Sequence, residues 1–220
     1  MKPLERLYSI VFTVTTAVVF FLWGYIESII AQRPVIGIPL GALVALGTYS
    51  TVLKIAIYLI SNINGIKKIL FGRYYLEGVW IGCYLSKSKT PVYFIEEYEQ
   101  DFDNLIIRGR SYFDNGSYKG AWTSEKVSID IEKGKISYNY RTDFINNTYI
   151  NQGQAEFNFI RKDANKSPYK LVGFSCDLYS NEKIKSSEIR VVDKSVNNDD
   201  KFLEDAKKFY EENKNFYITD

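Results

Sequence analysis

Two unbroken apolar stretches near the N-terminus limit what this chain can become more than any other feature. From Leu7 to Ile26 (LYSIVFTVTTAVVFFLWGYI) no side chain is charged, and a second such stretch, Val35 to Leu53 (VIGIPLGALVALGTYSTVL), follows almost at once. A helix of ~20 residues reaches ~30 Å, the thickness of a bilayer's hydrocarbon layer. The rest of the chain is far more polar, so two buried helices of a soluble core are the weaker reading. A cleaved signal peptide fits poorly as well. The first run is too long for the apolar core of one, and Ile29 before Ala31 makes a poor cleavage pattern. Two transmembrane helices are predicted.

Basic residues near the ends of the spans set the expected orientation. Lys2 and Arg6 precede the first span, Lys67, Lys68 and Arg73 follow the second, and the connection Glu27–Arg33 carries only Arg33 against Glu27. Both termini are expected in the cytoplasm, with a tight external turn, and Lys54 is placed to reach the headgroups. Gly37, Gly41 and Ala45 recur every four residues in the second span, a ridge that lets two backbones approach closely. It serves either packing against the first helix or association between chains.

Charge divides the chain in the same place. Residues 1–73 carry seven Lys/Arg and two acids, whereas the remainder holds 21 basic and 24 acidic residues, a net of −3. A weakly acidic domain lacks the electrostatic footprint of a DNA or RNA binder. The chain has no histidine, which removes the commonest general base and metal ligand. Cys83 and Cys176 could pair in principle; each lies in a strand-like run expected in the cytosol and reads as a reduced packing residue. Glu96 and Glu97 point to opposite faces of a strand and form no catalytic pair. Nothing calls for a metal or cofactor, and no arrangement for enzymatic chemistry is evident.

From Leu76 the pattern changes to alternation. Strand-like runs cover Glu77–Ser86, Val92–Gln100, Asn104–Phe113, Ser117–Ser124, Lys126–Ile131, Lys135–Thr142, Gln152–Arg161, Tyr169–Ser180 and Ser187–Asp193. Turn signals separate them at Pro91, Asp114-Asn115-Gly116, Glu132-Lys133-Gly134, Asn146-Asn147 and Ser167-Pro168. Short connections and a spacing of about ten residues predict an antiparallel meander of about eight strands. Such a sheet curls and closes, removing its edges, so the expected fold is a membrane-anchored, lipocalin-like up-and-down β-barrel. After Asn198 the period becomes helical, with Phe202, Leu203, Ala206, Phe209 and Tyr210 on one face. This gives a transmembrane domain over 1–73, a barrel over 74–198 and a terminal helix over 199–220, lying against the barrel or over one mouth. Ser61–Gly72 reads as a short basic linker.

Period-two faces suggest where a ligand binds. One face of the third run carries Ile106, Arg108, Arg110 and Tyr112; matching faces elsewhere carry Trp80, Trp122, Tyr138 and Tyr140. If these faces point inward, two guanidinium groups share a cavity with large aromatic rings. That combination suits flat bases and phosphates. The alternation says which residues travel together, not which side faces in. With the arginines outside, the aromatics fill a dry core or hold an apolar ligand.

Two N-terminal spans with a short turn, followed by Glu77-Gly78-Val79-Trp80-Ile81-Gly82, Arg108-Gly109-Arg110-Ser111-Tyr112, Gly120-Ala121-Trp122-Thr123-Ser124, Ile136-Ser137-Tyr138-Asn139-Tyr140, Gly153-Gln154-Ala155-Glu156-Phe157 and Leu171-Val172-Gly173-Phe174-Ser175, appear in this order. In this the chain resembles the two-transmembrane β-barrel effectors of bacterial cyclic-oligonucleotide-based anti-phage signalling systems (CBASS). The resemblance implies a non-enzymatic effector in the bacterial inner membrane. Its barrel would bind a cyclic dinucleotide made by a partner nucleotidyltransferase, and liganded chains would form homo-oligomers, disrupt the bilayer and arrest or kill the infected cell. It implies a nucleotide site at Arg108, Arg110, Tyr112, Trp80, Trp122, Tyr138 and Tyr140, and an association ridge at Gly37, Gly41 and Ala45. A lipocalin-like carrier or interaction module for an apolar ligand is the other reading.

Overall fold

The computed structural model describes residues 2–32, 34–143, 151–178, 182–192 and 198–218, and divides into two compact units, Met1–Gly72 and Arg73–Asp220. In the first, α1 (Pro3–Gln32) and α2 (Pro34–Asn62) pack side by side, followed by a short α3 (Asn64–Phe71). The segment read as a linker is therefore largely helical. Most of the segment read as an external turn is helical too, because helical hydrogen bonding continues past the apolar run. The stretches Pro3–Tyr25 and Val35–Ile60 are long and apolar enough to cross a membrane.

Burial separates the faces of this hairpin. Leu7, Val11 and Thr15 are shielded on α1, at the four-residue spacing of one helical stripe. On α2, Gly37 is buried and Gly41 and Ala45 are half-buried, while Ile38, Leu43 and Leu46 are exposed. Within the single chain the small-residue ridge thus packs inside the hairpin. Large apolar side chains cover the outside, Phe21 at 81% and Val35 at 86% exposure. In water so continuous an apolar surface is unfavourable.

The second unit is a closed antiparallel barrel: β1 (Gly78–Leu85), β2 (Pro91–Gln100), β3 (Leu105–Phe113), β4 (Tyr118–Asp130), β5 (Lys135–Asp143), β6 (Asn151–Ile160), β7 (Lys170–Asp177) and β8 (Lys183–Val192). Each strand pairs with the next, and β8 returns to β1 with Ile189 opposite Ile81. Gly116 and Gly134 take positive φ in the β3–β4 and β4–β5 turns, where a side chain would be strained. The Asn146-Asn147 turn signal lies outside the described residues.

Two predicted runs, Ser117–Ser124 and Lys126–Ile131, are one strand. Glu125 has no opposite residue, since Ser124 faces Tyr140 and Lys126 faces Asn139. This bulge inverts the alternation: Trp122 turns inward before it, and Val127 and Ile129 after it.

The outer faces of β1 and β2 are as apolar as their inner ones, and the terminal helix α4 (Asp199–Ile218) explains why. Val79, Ile81, Tyr93 and Ile95 pack against Phe202, Ala206, Phe209 and Tyr210. The helix lies against the side wall, using the face its periodicity marks out. Cys83 is buried beneath it, where its Sγ donates to the Tyr217 hydroxyl at 2.9 Å and burial pushes the thiol up to about 12. Cys83 and Cys176 are both free.

Candidate functional site

One end of the barrel is sealed. Trp80 is fully buried there, its indole N–H donating to the Leu76 carbonyl at 2.9 Å, with the Arg190 guanidinium 5.6 Å from its ring. Gln100 caps the incoming chain: its Oε1 accepts from the Leu76 N–H at 2.7 Å and its Nε2 donates to the Tyr74 carbonyl. Ile107, Ile136 and Leu171, all at 0% exposure, complete the floor.

Above this floor the barrel encloses a cavity of about 420 Å³. That is within the roughly 300–1,000 Å³ common for small-molecule sites. Its walls are built from glycine–aromatic pairs on adjacent strands. Gly109 faces Trp122, and a Cβ there would sit 2.0 Å from the indole; Gly153 faces Tyr140, and a Cβ would sit 2.2 Å from that ring. The missing side chains let each ring lie flat across its neighbour instead of filling the lumen. Phe94 and Phe157 add further rings, Phe94 edge-on to Trp122 at 5.9 Å.

The charged groups among the described lining residues are Glu96, Asp177, Lys87 and Lys119. Glu96 is deepest and 2% exposed; its Oε1 accepts from Trp122 Nε1 at 2.8 Å and from the Tyr138 hydroxyl at 3.0 Å. Behind it stands Glu188, 0% exposed, which accepts from the Tyr98 hydroxyl at 3.1 Å. Burial pushes the Glu188 carboxyl well above the usual carboxylate range, and the adjoining Glu96 charge pushes it further. The Oε2 atoms of both find no donor among the described residues.

Lys119 and Asp177 stand nearer the open end. A second bulge accounts for the lysine. Ser111 pairs with Gly120 and Tyr112 with Tyr118, leaving Lys119 unpaired and directed into the cavity. Its ammonium donates to the Tyr84 hydroxyl at 2.9 Å; burial lowers its pKa and the Asp177 carboxylate partly restores it. Asp177 accepts from the Tyr140 hydroxyl at 2.8 Å.

The sequence-derived residues separate into three groups. Trp122, Tyr138 and Tyr140 line the cavity, and Trp80 forms its floor. Arg108, Arg110 and Tyr112 do not reach it: they are on the outer face of β3. Ile107, Gly109 and Ser111 take the inner positions, since Gly109 must lie under Trp122. Outside, Arg108 pairs with Glu99 at 2.7 Å and Arg110 with Glu97 at 2.7 Å and Asp199 at 3.1 Å, while the Tyr112 hydroxyl donates to Asp199 at 2.7 Å. Arg110 and Tyr112 fasten α4 to the wall through Asp199, Arg108 ties β3 to β2, and none of the three offers anything to a ligand inside. Sequence reasoning missed Lys119 and Asp177. The bulge conceals the first, while Glu97 and Glu99, which alternate with Glu96, are the signal that would have put the arginines outside.

No family model matches this chain, and no curated protein matches it. Among solved structures, a de novo designed fluorescence-activating β-barrel aligns with 54% of this chain and 96% of its own length, at 12% identity and a TM-score of 0.35.

The lining decides what the cavity suits. Its rings offer stacking surfaces, and its outer part offers one ammonium close to a carboxylate. A hydrocarbon guest would strip water from Asp177 and Lys119 without replacing their hydrogen bonds, at a cost of about 1–3 kcal/mol for each group left unpaired. A flat heterocycle bearing polar substituents fits both features.

Proposed function

We propose that this chain is a membrane-anchored, non-enzymatic receptor whose barrel binds a cyclic dinucleotide. The observation that carries the reading is the half-open aromatic cavity with a fixed carboxylate at depth and Lys119 further out. Bases stack between Trp122, Tyr140 and Phe157, and the phosphates lie toward Lys119 and Lys87. This replaces the arginine grip expected from the sequence by one or two lysines.

The helix pair inserts into the bacterial inner membrane with both termini and the barrel in the cytoplasm, on the strength of the Lys2/Arg6 and Lys67/Lys68 flanks. In line with the CBASS resemblance, the messenger comes from a partner nucleotidyltransferase. Occupied chains then associate and compromise the bilayer, and the infected cell stops growing or dies. Because Gly37, Gly41 and Ala45 are engaged within the hairpin, association uses the outer apolar faces, such as that bearing Phe20 and Phe21.

Calorimetric titration of the full chain in nanodiscs with a panel of cyclic dinucleotides tests the binding step. Saturable binding that falls at least tenfold in Lys119→Ala, and is unchanged in Arg108→Ala, is expected. Silence across the panel, with co-purified lipid found in the barrel by native mass spectrometry, would instead establish the apolar-carrier reading.

A further inference from the structure

The ring of strands is complete between Val79 and Tyr84 and notched above that level. Toward the open end the last β1–β8 pair is Tyr84 with Ser186. Beyond it Leu85 pairs only with Pro91 of β2, and Lys183, Ile184 and Lys185 pair only with β7. The two strands therefore part at the rim. Outside the notch lies a groove of about 350 Å³, walled by Leu85, Lys183, Lys185 and Tyr217. It shares Ser86, Lys87 and Ile184 with the barrel cavity, so one chamber leads into the other. The back wall is pinned, because the Tyr217 hydroxyl is hydrogen-bonded to Ser187 and to Cys83.

The two chambers differ in charge. Within the barrel the Lys119 ammonium feels the Asp177 carboxylate, and that pair gives an anion little net attraction. The groove presents Lys87, Lys183 and Lys185 against Glu182, a formal excess of two positive charges among its described residues. All three lysines are exposed. Lys87 and Glu182 pair across the notch at 3.1 Å, but both side chains are more than half exposed, so water and salt weaken the pair. A phosphate can take the place of Glu182. Ser86 and Ser88 at the mouth are bonded to each other and to Thr90, and their hydroxyls can turn to donate to an oxyanion.

We propose that the ligand site is divided, with bases inside the barrel and a phosphate subsite in this outer groove. Each phosphodiester of a cyclic dinucleotide carries a negative charge. One stays near Lys119; the other passes through the notch to Lys183 and Lys185, with Lys87 at the threshold. Lysine binds phosphate as a point charge and needs no fixed fork geometry, which suits three exposed side chains converging on one groove. The barrel thus selects flat rings and the groove selects an anionic backbone. This inference rests on the receptor reading above and assigns its phosphate subsite.

The test is calorimetric titration of the full chain in nanodiscs with c-di-GMP, c-di-AMP and cyclic GMP–AMP at low and high salt. Wild type is compared with the double variants Lys183→Ala/Lys185→Ala and Lys183→Arg/Lys185→Arg. For a ligand that the wild type binds, the alanine pair is expected to lower affinity by about tenfold or more and to flatten its salt dependence. The arginine pair keeps both charges and is expected to retain the wild-type salt slope. Unchanged affinity in the alanine pair overturns the groove and leaves the receptor reading standing. A fall in affinity with an unchanged salt slope also overturns it, because the loss is then not one of charge. Absence of binding by all three ligands overturns the receptor reading and the subsite together.

Discussion

At the scale of single residues, the barrel interior is a set of exchanges between glycine and aromatic rings. Gly109→Ala would drive a methyl group into the Trp122 indole. A loss of about 1–3 kcal/mol is expected from such overpacking, read as a lower denaturant midpoint. The buried Glu188 gives a pH dependence of known sign. Its folded-state pKa is raised, so between the unfolded and folded values the native state holds a proton that the unfolded chain has released. Stability therefore falls as pH rises through that window, and Glu188→Gln should flatten the dependence; a slope unchanged in the variant would assign it elsewhere. Arg110→Ala lies at the other extreme. Its ion pairs are partly exposed, so at most about 1 kcal/mol should be lost in thermal melts, with no loss of ligand affinity. That Trp80, Trp122, Tyr138 and Tyr140 occupy particular strand faces was legible from alternation, but the inward direction of those faces was not. The outward turn of Arg108 and Arg110 was not, because each strand offers two self-consistent faces and only cross-strand partners decide between them.

At the scale of elements, local pattern carried the hairpins and the terminal helix but misread continuity. The turns at Asp114-Asn115-Gly116 and Glu132-Lys133-Gly134 follow from glycine's access to positive φ, and they fall where the sequence predicts them. The strand β4 was split in two because its inward parity changes at Glu125, which in a periodicity argument looks like an ending. Deleting Glu125 would remove the bulge while leaving Val127 opposite Tyr138 and Ile129 opposite Ile136, both still facing the core. Amide protection in β4 and β5 should therefore be kept, and its loss would show that the barrel needs the bulge. The helix α4 is a structural wall. Phe209→Ala should cost about 3 kcal/mol, as for other large core truncations, and raise binding of a hydrophobic dye at the uncovered β1–β2 face. Dye binding equal to wild type would mean that the helix contributes little to the barrel.

At the scale of the whole molecule, the division of charge and hydropathy near residue 73 matches the boundary between two compact units. The barrel unit has its own core, and its helix covers the most apolar outer wall. Residues 73–220 alone should therefore give a folded, monodisperse protein in detergent-free buffer, whereas residues 1–72 should require detergent. Gel filtration with circular dichroism checks both. A barrel fragment that aggregates would show that it depends on the helix pair.

A ring of strands that closes on itself leaves no free seam. From Val79 to Tyr84, β1 already has a neighbour on either side, β2 and β8. A guest in the lumen consequently has no strand to peel away and no sheet to extend, so news of its arrival must leave by other routes. The rim loops and the outer strap formed by α4 are where deuterium uptake should register occupancy, while the staves themselves stay silent.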